Sequence, residues 1–310
     1  HPLRVYAILE AGIGVFALIF PLLLSVLNAV YILIYRGLHA EFYSLSLIRF
    51  VLSFLVLLVP STLMGGTLPV LSKFFVERLG RLGFNVGLLY ALNTFGAVAG
   101  CVGAGFFLIQ FVGVQQSLYL GAAINLIVAG VAFVLDRRWD VSEDGIMSAI
   151  HSIQESSVSP ENAREATPLW HLVLWAFAIS GFCALAYEVL WMRILVFFLG
   201  STTYAFSTML AAFLFGIACG SFLFAYVADR MKSLVSLFGL VQVGIGLSAV
   251  ALVPAFGELY GISRAFQTAF GQGRIWAFVA CIVVMIIPTL LMGGSFPLVM
   301  RIYTVRREQL

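Results

Sequence analysis

Long apolar runs dominate this chain, and a run of about 20 such residues is enough to cross a bilayer as helix. Eight can be delimited, at about 5–34, 46–74, 85–111, 116–135, 170–199, 204–227, 234–256 and 275–303. Apolar residues make up 62% of the chain and charged residues 10%. A soluble domain carries about one quarter charged residues, so an ordinary soluble fold is excluded. A transmembrane β-barrel needs alternating segments of about ten residues, and none is present. The expected fold class is all-α, a polytopic transmembrane helix bundle of about eight spans.

The basic residues orient the bundle. Arg4, Lys73, Arg78, Arg81, Arg137, Arg138, Arg164, Arg230, Lys232, Arg301, Arg306 and Arg307 fall on one side of the expected spans. The other side receives Arg36, Arg49, Arg264 and Arg274, with Arg193 near its surface. Lys and Arg concentrate on the cytoplasmic face. Both termini and the loop after the fourth span are therefore expected in the cytoplasm. The net charge of +3 is spread over helix ends rather than gathered in a patch, which argues against nucleic acid as a partner. The bilayer is the first partner. Residues 136–169 change character: Asp136-Arg137-Arg138 closes a span, and Ser, Glu, Asp and Asn then prevail as far as Pro168. They read as a cytoplasmic polar linker between residues 1–135 and 170–310, with room for a short amphipathic helix around Ile146–Ile153.

The two flanking parts are related. Pro60-Ser61-Thr62-Leu63-Met64-Gly65-Gly66-Thr67-Leu68-Pro69 returns as Pro288-Thr289-Leu290-Leu291-Met292-Gly293-Gly294-Ser295-Phe296-Pro297. Glu10-Ala11-Gly12-Ile13-Gly14, upstream of the first, returns as Gln242-Val243-Gly244-Ile245-Gly246, upstream of the second. Two motifs repeated in order at nearly constant spacing imply duplicated halves. Residues 1–75 match 232–306, so the halves are out of phase. If each follows one six-helix plan, residues 1–135 are its helices three to six and residues 170–310 its helices one to four. On that reading two helices belong before the chain and two after it.

A 6+6 bundle with a cytoplasmic central linker resembles the major facilitator superfamily. Ala225-Tyr226-Val227-Ala228-Asp229-Arg230-Met231-Lys232 is similar to the superfamily's G-x-L-a-D-r-x-G-r loop, with Ala225 at the leading Gly and no Gly before the basic residue. Other stretches are similar to the membrane region of the fused transporter-like, spermidine synthase-like proteins of bacteria. They are Ser180-Gly181-Phe182-Cys183-Ala184-Leu185-Ala186-Tyr187-Glu188-Val189-Leu190-Trp191-Met192-Arg193, Gly200–Ser207, Leu89–Ala97 and the two Leu-Met-Gly-Gly elements. The resemblance implies a bacterial inner-membrane location and an association with polyamine chemistry. It also implies a soluble aminopropyltransferase-like domain as a linked partner. No Gly-rich nucleotide turn between strand and helix occurs here, so no catalytic domain is expected in these residues.

An ionisable residue inside a span costs about 2.5–3.5 kcal/mol on insertion scales, so it should face a cavity or a partner. Glu188 is the foremost such residue, able to attract a cationic amine, carry a proton, or lock a neighbouring helix. Arg193 stands about 140° away on the same helix and reads as an interfacial anchor. Glu10 occupies the position that Gln242 takes in the other half, which suits an asymmetric central site or, with Arg4 nearby, a simple interface position. Asn93 shares its helix with Gly96 and Gly100, and both this pair and Gly216/Gly220 allow close helix approach. Pro60 with Gly65 and Gly66, and Pro288 with Gly293 and Gly294, predict a kink or break serving as ligand site, hinge or packing seam. Asp229 and Arg230 are the gating candidates of the loop motif. Cys101, Cys183, Cys219 and Cys281 lie in apolar runs without metal-like spacing, and the histidines are isolated. Neither metal nor cofactor is expected. Two functions remain open: movement or transfer of a small organic cation such as a polyamine, and a non-transporting anchor or scaffold of a larger membrane assembly.

Overall fold

In a bilayer core no water satisfies the backbone, so a spanning segment must satisfy its own N–H and C=O groups. The computed structural model meets that demand with helices alone among the residues it describes, 2–37, 42–79, 82–151, 168–199, 203–231, 233–270 and 274–308. The elements are α1 (Pro2–Gly37), α2 (Phe42–Leu79), α3 (Leu82–Val102), a π-helical turn (Gly103–Leu108), α4 (Ile109–His151), α5 (Pro168–Leu199), α6 (Thr203–Ala228), α7 (Leu234–Gly257), α8 (Leu259–Phe270) and α9 (Arg274–Glu308). Seven helical runs among the described residues are long and apolar enough to span a membrane.

The difference from eight lies in one place. Gly87–Arg138 forms a single helical run of 52 residues, and it contains two of the expected spans. Gly113 breaks it, with φ 83° and ψ 169°. That backbone conformation is essentially confined to glycine, because a Cβ would collide with the neighbouring peptide units. The expected gap between spans, residues 112–115, therefore holds a one-residue break rather than a loop. Beyond it, α4 continues past Leu135 as far as His151, so the polar sequence after Asp136 begins as helix. Linker residues 152–167 lie outside the described residues. The short α8, between the last two expected spans, was not legible as a separate element.

The chain forms two compact units, residues 1–77 with 112–161 and residues 78–111 with 162–310. The chain passes from one to the other at 77/78, beside Gly113 at 111/112, and within the polar linker at 161/162. In the first unit α1 lies between α2 and α4. A Cβ built on Gly12 would stand 3.1 Å from Leu63 Cδ1, and one on Gly66 would stand 3.3 Å from Leu9 Cδ1. On its other side, a Cβ on Gly14 would stand 2.8 Å from Leu126 Cγ and 3.1 Å from the Ala122 carbonyl oxygen. The second unit is organised by α6 and α9, which pack most extensively, with α3 and α7 against them. Met209 and Phe213 of α6 meet Met285 and Leu298 of α9 in one buried core with Phe238 and Ile245 of α7.

One contact recurs in both units. A Cβ on Gly244 would stand 3.1 Å from Leu291 Cδ1, matching Gly12 against Leu63. Gly244 and Leu291 are the repeat counterparts of Gly12 and Leu63, so α1 with α2 and α7 with α9 are packed alike. Both Leu-Met-Gly-Gly elements lie within unbroken helices, α2 and α9, each with two prolines inside it. Of the kink or break expected at them, no break in the helix occurs. Hydroxyls reinforce the backbone there: Thr62 Oγ1 donates to the Leu58 carbonyl at 2.7 Å, and Thr289 Oγ1 to that of Met285 at 2.7 Å.

Candidate functional site

The second Leu-Met-Gly-Gly element is a packing seam. Small residues let two backbones approach closely enough for van der Waals contact and hydrogen bonding to replace the hydrophobic drive that lipid cannot supply. Gly220 faces the carbonyl of Leu290, Gly293 faces the carbonyl of Ile217, and Gly216 faces the side chain of Thr289. Gly294 lies against the ring of Phe224. Ser221 Oγ stands 2.8 Å from the Gly293 carbonyl and 2.7 Å from that of Ile217, so one hydroxyl serves both helices. Ser221 and Thr289 are fully buried. Gly216 and Gly220 thus pack as their spacing predicted. Gly96 and Gly100 do not: nothing comes within 4 Å of a Cβ at either. The close approaches of α3 lie elsewhere, at Gly87 against Ala225 of α6 and, in the π-helical turn, at Gly105 against Ser207.

Within the second unit, Gln242 Nε2 donates to Ser295 Oγ at 3.2 Å, tying α7 to the seam one residue after Gly294. Asp229 pairs with Arg301 of α9 at 3.2 Å, whereas the neighbouring Arg230 lies 3.9 Å above the ring of Tyr226. The two residues of the loop motif therefore act separately, one joining helix ends and the other capping an aromatic face. Pro288 is fully buried behind the seam.

Glu188 is half-buried on α5 and makes no hydrogen bond or ion pair among the described residues. Arg193 is exposed. Glu188 shares a helix face with Trp191, the centre of an aromatic cluster in which Tyr187 stacks at 5.4 Å and Phe213 and Phe256 each lie 6.3 Å away. A second cluster joins three helices. Phe296 of α9 lies 4.6 Å from Tyr90 of α3 and 6.4 Å from Phe177 of α5. Phe177 and Glu188 are eleven residues apart, which is about 20° around an α-helix and roughly 16 Å along it. Ring cluster and carboxylate consequently lie on one face of α5. Asn93 is exposed on α3, one turn beyond Tyr90. No hydrogen bond or ring contact brings Asn93, Gln242 and Glu188 together among the described residues.

In the first unit Glu10 is half-buried and takes a hydrogen bond from Tyr6, one turn earlier. Pro60 is half-buried, Gly65 is exposed and Gly66 meets Leu9. Sequence reasoning did not single out Ser221, Thr289, Ser295, Tyr90 or Phe296. The serines and the threonine were visible as small residues beside the glycines, but the ring cluster carries no sequence signal because it is drawn from three separate helices. No group of three or more His, Cys, Asp or Glu side chains is placed to hold a metal among the described residues.

Comparison with curated proteins finds polyamine aminopropyltransferase 1 of Ralstonia nicotianae, 32% identical over 159 residues, or 49% of this chain and 26% of that protein. Polyamine aminopropyltransferase 2 of the same organism is 32% identical over 146 residues, 44% of this chain and 24% of that protein. The match therefore spans about a quarter of the length of each relative. No family model matches the chain, and no solved structure does.

Proposed function

We propose that this multi-pass helical chain is the membrane region of a spermidine synthase-like fusion protein of the bacterial cytoplasmic membrane, and that it moves or hands over a small organic cation of the polyamine class. The observation that carries this reading is the pairing of an unpartnered, half-buried carboxylate with ring clusters on one face of α5, in a chain similar to polyamine aminopropyltransferases. Carboxylates and aromatic faces are the two side-chain groups that attract an ammonium in apolar surroundings. A linear polyamine spreads its charges along an extended chain, so acceptors roughly 16 Å apart on one helix face suit such a ligand better than a compact amine. Asn93, Glu10 and Gln242 are the further cavity candidates. Asp229 with Arg230, and Pro60, Gly65, Gly66, Pro288, Gly293 and Gly294, are the proposed gating or hinge elements. Alternating access on a major facilitator plan would rock one half against the other, with residues 78–111, which pack on α6 and α9, moving with residues 170–310, and the aminopropyltransferase-like domain of the same protein would use or supply the amine.

The test is uptake of radiolabelled spermidine into proteoliposomes. Glu188→Gln is expected to abolish uptake while the yield of folded protein is unchanged. Uptake equal to the parent protein's removes Glu188 from the site. A parent protein that takes up no amine sinks transport altogether and leaves a membrane anchor or scaffold subunit.

A further inference from the structure

α7 is 24 residues long, about 36 Å at 1.5 Å per residue, which already exceeds the roughly 30 Å of a bilayer's hydrocarbon core. α8 begins directly beyond it. Only Glu258 intervenes, and its φ −88° and ψ 2° interrupt the helix. After α8 ends at Phe270, the next span, α9, opens at Arg274. α8 is thus tied at both ends to spans, at the membrane face opposite the Asp229–Arg301 pair, with no length of chain to carry it away from the bilayer.

In the first half the same place is built differently. Pro21 follows Glu10 at nearly the spacing at which Pro254 follows Gln242, yet α1 runs on past Pro21 to Gly37. Its residues there, Leu27-Asn28-Ala29-Val30-Tyr31-Ile32-Leu33-Ile34, are almost wholly apolar. Those of α8 are two-faced. Leu259, Ile262, Phe266 and Phe270 recur at helical spacing, and Tyr260, Arg264 and Thr268 fall on the opposite side of the helical wheel. Tyr260, Arg264 and Thr268 are exposed, while α8 packs against α9 and α7. Arg264 has no ion pair among the described residues. The carboxylate nearest in sequence, Glu258, lies instead over the first turn of α8, its Oε2 3.6 Å from a Cβ built on Gly261, where a helix favours an anion. A cation with a tyrosine beside it, on an amphipathic helix at headgroup depth, suits the membrane interface.

We propose that α8 lies in the membrane interface and that Arg264, flanked by Tyr260 and Thr268, binds the phosphate of a phospholipid headgroup. Because the helices on either side of α8 cross the bilayer, headgroups are the surface within its reach. Phosphate is the anion that every phospholipid presents there, and it complements an unpaired guanidinium.

The experiment uses the full polypeptide in phospholipid nanodiscs, with the fluorescent amino acid dansylalanine at Thr268. A second protein carries it at Val250, 71% exposed and two turns before the end of α7, to read the hydrocarbon. Quenching is compared between lipids bearing a nitroxide on the headgroup and on the acyl chain. Expected is stronger quenching by the headgroup nitroxide at position 268 and by the chain nitroxide at position 250. Arg264→Gln is expected to lower headgroup quenching at position 268 by at least about twofold. A fluorophore at position 268 that neither lipid quenches, or that the chain nitroxide quenches more, overturns the proposal. So does headgroup quenching that Arg264→Gln leaves unchanged.

Discussion

At Gly220 the space available to a side chain is set by a backbone atom, the Leu290 carbonyl oxygen, which has no rotamer to escape into. Gly220→Ala therefore forces α6 and α9 apart, at a cost of about 1–3 kcal/mol for overpacking. The same change at Gly130, where nothing lies within 4 Å, removes a helix-disfavoured residue and gains up to about 1 kcal/mol. Thermal unfolding of the two variants in detergent should shift in opposite directions. A Gly220→Ala midpoint at or above the parent's would mean that α6 and α9 are not in backbone contact. The sequence offered Gly216-x-x-x-Gly220 and Gly96-x-x-x-Gly100 as equals, and only the first closes on a neighbour. Spacing reports that a helix can be approached; which helix approaches is decided by the rest of the bundle.

Among the elements, the run from Gly87 to Arg138 is the one whose description changes most. Its apolar pattern is nearly continuous, and what divides it is the left-handed backbone of Gly113, followed by Ser117 Oγ donating to the Gly113 carbonyl at 2.7 Å. Gly113→Ala should cost about 1–3 kcal/mol, since an L residue there is strained whatever space surrounds it. A chemical-denaturation midpoint that does not fall would mean that Gly113 does not hold this positive φ. Prolines were the expected punctuation, yet Pro60, Pro69, Pro288 and Pro297 all lie inside unbroken helices. Within apolar spans, neighbouring hydroxyls and close helices keep the backbone satisfied around a proline. A glycine with positive φ is the stronger stop, and a sequence shows the glycine but not its φ.

For the whole molecule, the proposed topology assigns the side rich in Lys and Arg to the cytoplasm, by an asymmetry that the short loops carry. Green fluorescent protein fused after Leu310 should fluoresce, and alkaline phosphatase inserted between Leu38 and Glu41 should be active; the reverse pattern would invert the membrane orientation. The all-helical, multi-pass character was determined by sequence alone, because run length and the want of charge leave the backbone no other way to be satisfied in lipid. The duplication was equally legible, since it is written in residue order. The partition into compact units belongs to tertiary structure alone: α3, on the first side of the linker, packs with α6 and α9 through Gly87, and the π-helical turn after it with α6 through Gly105. So does the contrast between the two Leu-Met-Gly-Gly elements, nearly identical in residues: Gly293 closes on Ile217 and Ser221, whereas at its counterpart Gly65 a Cβ would meet nothing within 4 Å among the described residues. Local sequence sets what a helix face can accept. Its occupant is set by helices distant in the chain, whose approach is a property of the assembled bundle.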